Sequence, residues 1–131
     1  MTTFRGMATV SFFAADHAAA KAWYTELFGG APYFDVPGYC EWRIGDHQDE
    51  LGVVDARYAR PGQIAGPAGA IVYWHVDDLS ATFERLLALG AKEHEGIRAR
   101  GEAGFVTASV VDPFGNILGV MTNPHYLETL G

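Results

Sequence analysis

The chain states one pattern twice. Ala8 to Asp16 is an extended, largely apolar stretch running into an aspartate, followed by a helix-favouring stretch, His17 to Phe28, that closes on Gly29-Gly30. Ala70 to Asp78 is again a strand-like stretch running into aspartate, and Leu79 to Leu89 then closes on Gly90. The far ends match too, since Leu51-Gly52-Val53-Val54 is echoed by Leu118-Gly119-Val120-Met121. Repetition of this kind constrains a fold more than any local propensity, because both copies must form the same supersecondary unit. It implies a pseudo-symmetric domain with a cleft where the copies face each other.

Within each copy the local signals agree. Asp16 stands where a helix N-cap is expected, and Ala20, Trp23, Tyr24 and Leu27 at i, i+3, i+4, i+7 give one apolar stripe. Phe83, Leu86, Leu87 and Gly90 repeat that spacing behind Asp77-Asp78. Three short extended stretches follow each helix, at about 32–36, 39–45 and 50–55 in the first copy and 92–97, 104–111 and 117–122 in the second. Pro37-Gly38, Gly45-Asp46 and Asp112-Pro113-Phe114-Gly115-Asn116 supply turns. The expected fold is therefore α+β, two tandem βαβββ modules at about 7–56 and 70–123. A Gly/Pro/Ala-rich connector at 57–69 joins them, and a tail, 124–131, follows; its Tyr126, Leu127 and Leu130 are apolar enough to pack on the domain or on a second subunit.

Composition removes several function classes. Sixteen acidic against nine basic residues leave a net charge of −7 with no Lys/Arg run, which argues against nucleic acid as a partner. No apolar stretch approaches the ~20 residues of a membrane span, and the start of the chain lacks a signal-peptide layout. The single cysteine, Cys40, excludes an internal disulfide and fits a cytoplasmic protein. It has no activating neighbour in the sequence and reads as a buried bystander. No serine-nucleophile motif, phosphate loop or dinucleotide fingerprint is present.

Three segments carry a family resemblance: Asp16 with Trp23-Tyr24 and Leu27-Phe28-Gly29; Val76-Asp77-Asp78-Leu79 with Leu86 and Leu89-Gly90-Ala91; and Asp112-Pro113-Phe114-Gly115-Asn116 leading into a strand. Over about residues 7 to 123 the chain resembles the vicinal oxygen chelate superfamily, which includes glyoxalase I, the bleomycin-resistance proteins, the fosfomycin-resistance transferases and the extradiol dioxygenases. The resemblance implies strands curving into a half-barrel mixed sheet, a site in its concave cleft, and a homodimer. In the metal-dependent members four side chains, usually His and Glu, hold a divalent ion there. The motif spacing maps those positions onto Thr9, Gly52, Ile71 and Gly119. Two glycines, an isoleucine and a threonine offer at most a hydroxyl, so no metal ligand is assigned and the metal-free branch is expected.

Residues two apart on a strand share a face. The expected cleft lining is therefore Thr9, Ser11 and Phe13, Glu50 and Val54, Ile71, Tyr73 and His75, and Ile117 and Met121. Of these, Thr9, Ser11, Phe13, Glu50, Val54, Tyr73, His75 and Met121 are the candidate ligand-binding residues. His75 and Glu50 are the candidate acid–base pair, with a purely structural hydrogen bond as the other role open to His75. His47, Asp49 and Glu50 follow a turn and read as solvated, as Glu93-His94-Glu95 reads as a polar edge. The function expected is binding and sequestration of a small molecule, of the antibiotic-resistance type, without a cofactor. The alternative is a lyase, isomerase or dioxygenase-like enzyme on the same scaffold, using His75 and Glu50 or a relocated divalent metal.

Overall fold

In the computed structural model residues 3–64 and 66–131 are described. The chain divides into two compact units at residue 64; Ala65 of the connector lies outside the described residues. The first unit runs β1 (Thr9–Ala14), α1 (His17–Phe28), β2 (Phe34–Val36), β3 (Tyr39–Ile44), β4 (Asp49–Asp55) and a 3-10 turn, Ala56–Tyr58. The second runs β5 (Val72–His75), α2 (Leu79–Ala88), β6 (Lys92–Ala99), β7 (Val106–Val111), β8 (Ile117–Thr122) and a short α3 (Pro124–Glu128). Each unit is thus one βαβββ module, and the class is α+β. Each holds a four-stranded mixed sheet, ordered β1-β4-β3-β2 in the first and β5-β8-β7-β6 in the second, with the parallel pair at one edge.

The caps explain where the helices start. Asp16 Oδ1 accepts from the Ala19 N–H and Asp78 Oδ1 from the Ala81 N–H, both at 3.0 Å, which satisfies a donor that each first turn leaves open. Gly29 closes α1 in the left-handed region at φ 78°, where a side chain is strained. Between β7 and β8 the buried Asp112 organises the turn. Its Oδ1 accepts from the N–H groups of Phe114 (2.9 Å) and Asn116 (2.8 Å), while its own N–H donates to Asn116 O (2.8 Å).

Alternation along the strands then sorts the faces. In the first unit Phe12, Ala14, Cys40, Trp42, Leu51 and Val53 are buried with Ala20 and Tyr24 of α1. The Trp42 indole N–H donates to Gly30 O at 3.0 Å, which ties β3 to the end of α1. In the second unit Ala108, Val110, Leu118 and Val120 form the corresponding core with Leu79, Phe83 and Leu86 of α2. The opposite face of the first sheet carries no helix and that of the second meets only α3, through Tyr126 on His75; the expected site residues that fall within strands lie on these faces.

Candidate functional site

On the helix-free face of the first sheet, register places Thr9 beside Glu50, Ser11 beside Gly52, and Phe13 beside Val54. Across the other edge of β4 stand Arg43, Glu41 and Tyr39, opposite Glu50, Gly52 and Val54 in turn. Gly52 is thus the middle of the face. A Cβ built there would fall 2.7 Å from Tyr39 Cε1 and 2.8 Å from its Cζ, so the tyrosine ring occupies the space a side chain would need.

The centre of this face is polar and hydrogen-bonded. Glu41 is 9% exposed, and its carboxylate accepts from the hydroxyls of Tyr33 and Tyr39. Tyr33 Oη also lies 3.1 Å from Glu50 Oε2. Arg43 Nε donates to that oxygen at 3.1 Å, and its guanidinium sits 4.1 Å from the centroid of the Tyr33 ring. Phe34 extends the aromatic surface, 6.4 Å from the Tyr33 ring and 6.2 Å from the Tyr39 ring. The two phenol donors, Tyr33 foremost, hold the Glu41 carboxyl below its ordinary range. The same bonds act on the phenols. Tyr33 is pushed up to about 12, first by its bond to Glu41 and then by lost hydration. Tyr39 is raised further, mainly by burial and then by Glu41. At neutral pH the cluster is an ionised carboxylate held by two protonated phenols.

Glu41, Tyr33, Tyr39 and Arg43 were not among the residues singled out from sequence. The signal was present in β3, where Tyr39, Glu41 and Arg43 alternate with Cys40, Trp42 and Ile44. Cys40 itself is fully buried, and burial first of all pushes its thiol up to about 11, which leaves it protonated and inert.

The second unit repeats the glycine arrangement with a different ring. Tyr73 pairs with Gly119 and His75 with Met121. A Cβ at Gly119 would meet Tyr73 Cε1 at 2.8 Å and Cγ at 2.9 Å. Ser109, opposite Gly119 on β7, is buried, and its hydroxyl lies 2.8 Å from His94 Nδ1. His75 is covered: its Nδ1 accepts from the Asn123 N–H (3.0 Å), and its Nε2 is buried without a hydrogen-bond partner. Neither ring nitrogen faces solvent, and Glu50 lies in the other unit.

Thr9, Gly52, Ile71 and Gly119 do not fit a divalent ion: two of the four positions are spanned by tyrosine rings, and none carries an imidazole or carboxylate. Among the described residues no group of three or more His, Cys, Asp or Glu side chains converges as a donor set, the His47, Asp49 and Glu50 turn included. No helix of the described residues is long and apolar enough to cross a membrane.

The comparisons with known proteins agree with this architecture. Among solved structures, a glyoxalase-related enzyme from Fulvimarina pelagi superposes with a TM-score of 0.74 at 23% identity, covering 92% of this chain and 90% of that one. A lactoylglutathione lyase from Agrobacterium tumefaciens gives 0.68 at 21%, over 93% and 96% of the two chains. A glyoxalase/bleomycin resistance protein from Catenulispora acidiphila gives 0.63 at 24%, over 88% and 96%. At these identities the likeness is one of fold. No curated protein matches the chain significantly. The model of one protein family matches residues 6–120, which takes in both modules, and the chain belongs to that family, the glyoxalase/bleomycin resistance protein/dioxygenase superfamily.

Proposed function

We propose that this protein binds a small molecule without a metal ion, as a sequestering protein of the bleomycin-resistance type, on the helix-free face of its first sheet. The observation that carries the reading is the Tyr33–Glu41–Tyr39 cluster over Gly52. Where metal-dependent relatives would present an ion, this chain presents an ionised carboxylate, two phenol hydroxyls and the aromatic surface of Phe34. Aromatic walls around a few fixed polar groups are the usual make-up of a small-molecule site. Thr9, Ser11, Phe13, Glu50 and Val54 border the cluster and complete the surface offered to a ligand.

A second reading, a lyase, isomerase or dioxygenase-like enzyme on the same scaffold, draws support from the likeness to lactoylglutathione lyase. In it, proton transfer falls to Glu41 and Tyr33, because the nitrogens of His75 are engaged or occluded.

Metal analysis tests the metal independence of the first reading. Protein purified without chelators and incubated with Mn²⁺, Fe²⁺, Ni²⁺ or Zn²⁺ should retain less than about a tenth of an ion per chain, since intact sites hold metal tightly. A thermal-shift screen of small aromatic compounds should then give hits that Glu41→Gln weakens. Near one ion per chain would overturn metal independence and favour the enzyme.

A further inference from the structure

The C-terminal segment folds back onto the end of β5. Asn123 Oδ1 accepts from the Tyr126 N–H (3.0 Å) and so caps α3, while the Asn123 backbone N–H donates to His75 Nδ1 (3.0 Å). The Tyr126 ring stacks on the imidazole, with centroids 5.0 Å apart and planes 16° from parallel. Asn123 Nδ2 also reaches Met121 Sδ at 3.6 Å, beside His75 in the sheet register. Because Nδ1 accepts, the proton of a neutral imidazole sits on Nε2. That N–H is buried, and the nearest carboxylate oxygen, Asp77 Oδ1, is 4.0 Å away, beyond hydrogen-bond range.

The closed arrangement therefore carries a defect. The His75 side chain is 8% exposed and holds an unpaired donor, which disfavours the state that buries it. The segment that stacks on it is short and partly exposed. α3 has five residues, too few to persist as an isolated helix, and Leu127 and Leu130 leave nearly half of their surface in solvent. Displacing α3 would free Nε2 to meet water or Asp77, and would vacate a flat slot the size of a phenol ring against the imidazole.

We propose that α3 is a displaceable strap over a binding site for a planar, phenol-type aromatic molecule, with the Tyr126 ring holding the ligand's place on His75. The site lies wholly in the second unit and does not depend on the reading of the Glu41 cluster. A strap that is closed most of the time lowers the apparent affinity by the fraction of molecules that are open.

The test uses p-cresol, the tyrosine side chain as a free molecule, on the full chain and on its Tyr126→Ala variant. The expected result is that p-cresol raises the melting temperature of Tyr126→Ala and shifts its His75 ring resonances, binding about tenfold or more tighter than to the parent chain. Cyclohexanol, similar in size but not planar, should do neither. No response in either chain, or equal responses in both, overturns the proposal. Should Tyr126→Ala fail to fold, hydrogen exchange on the parent decides. The Asn123 and Tyr126 amides should exchange about tenfold or more faster than those of Gly119 and Val120, and equal protection would show that no strap opens.

Discussion

Neither Gly52 nor Gly119 has a positive φ, so it is space and not backbone strain that keeps a side chain out. The two positions differ in which part of the tyrosine fills that space. Gly52 meets the outer edge of the Tyr39 ring, which can swing aside, although doing so breaks its bond to Glu41. Gly119 lies under the root of the Tyr73 ring, at Cγ and Cδ1, where no side-chain rotation short of a new χ1 gives relief. Gly119→Ala should accordingly destabilise the protein by about 1–3 kcal/mol, the range for overpacking. Most of that loss should vanish when Tyr73 is also changed to Ala, because ring and methyl compete for one volume. Urea unfolding of the single and double variants measures the coupling. Strict additivity would show that the ring and the glycine are not matched to each other. From the sequence the pair of glycines was legible as a repeat. The rings that approach were not legible, because Tyr39 reaches Gly52 diagonally, and a diagonal contact appears only once strand register is known.

Elements with a chemical signal at both ends were legible almost to the residue. α1 begins behind its Asp16 cap and ends at left-handed Gly29, and the observed span, His17–Phe28, is the expected one. β8, which follows the Asp-Pro-Phe-Gly-Asn turn, also starts and stops as expected. β5 is shorter than its apolar run: Ile71 falls before its first residue, Val72, and Val76 after its last, His75. Hydrophobicity marks burial, whereas strand ends are set by where the partner β8 stops pairing. The tail was read only as apolar, yet Asn123 followed by Pro124 is an N-cap and first-turn signal that announces α3. Among these signals the Asp112 turn is the most consequential, since one buried carboxylate satisfies two backbone donors between adjacent strands. Asp112→Ala would remove the acceptor that both N–H groups share and should lower stability by about 1–3 kcal/mol. Asp16→Ala, at an exposed cap whose donor can turn to water, should lower it by about 1 kcal/mol. Thermal unfolding of the two variants side by side checks the order, and an Asp16→Ala loss equal to or larger than that of Asp112→Ala would contradict the burial argument.

At the scale of the molecule, sixteen acidic and nine basic side chains set up a field that no single residue reveals. Several cations are tied into short-range pairs, among them Lys21 with Asp35 at 2.7 Å, Arg57 with Asp55 at 3.6 Å, and Arg100 with Glu95. The cationic members of these pairs are 40–60% exposed, so solvent screens each pair and it adds little to stability. Added salt acts on two things at once. It weakens attraction inside pairs a few ångströms long, and it weakens repulsion among the surplus carboxylates, which acts over longer distances. With a screening length of about 8 Å at 0.15 M, contacts of 3–4 Å keep much of their strength while the longer-range repulsion is largely removed. The repulsive part should therefore lose more, and the folded state, which concentrates the charge, should gain. The melting temperature at pH 7 should rise between about 0.01 M and 0.15 M NaCl. A fall over that range would mean that the ion pairs outweigh the net charge. The same field bears on what the candidate sites can take, because anionic molecules approach an acidic surface less readily than neutral or cationic ones. A neutral phenol is exempt, so its binding at His75 should be nearly independent of salt while the melting temperature is not.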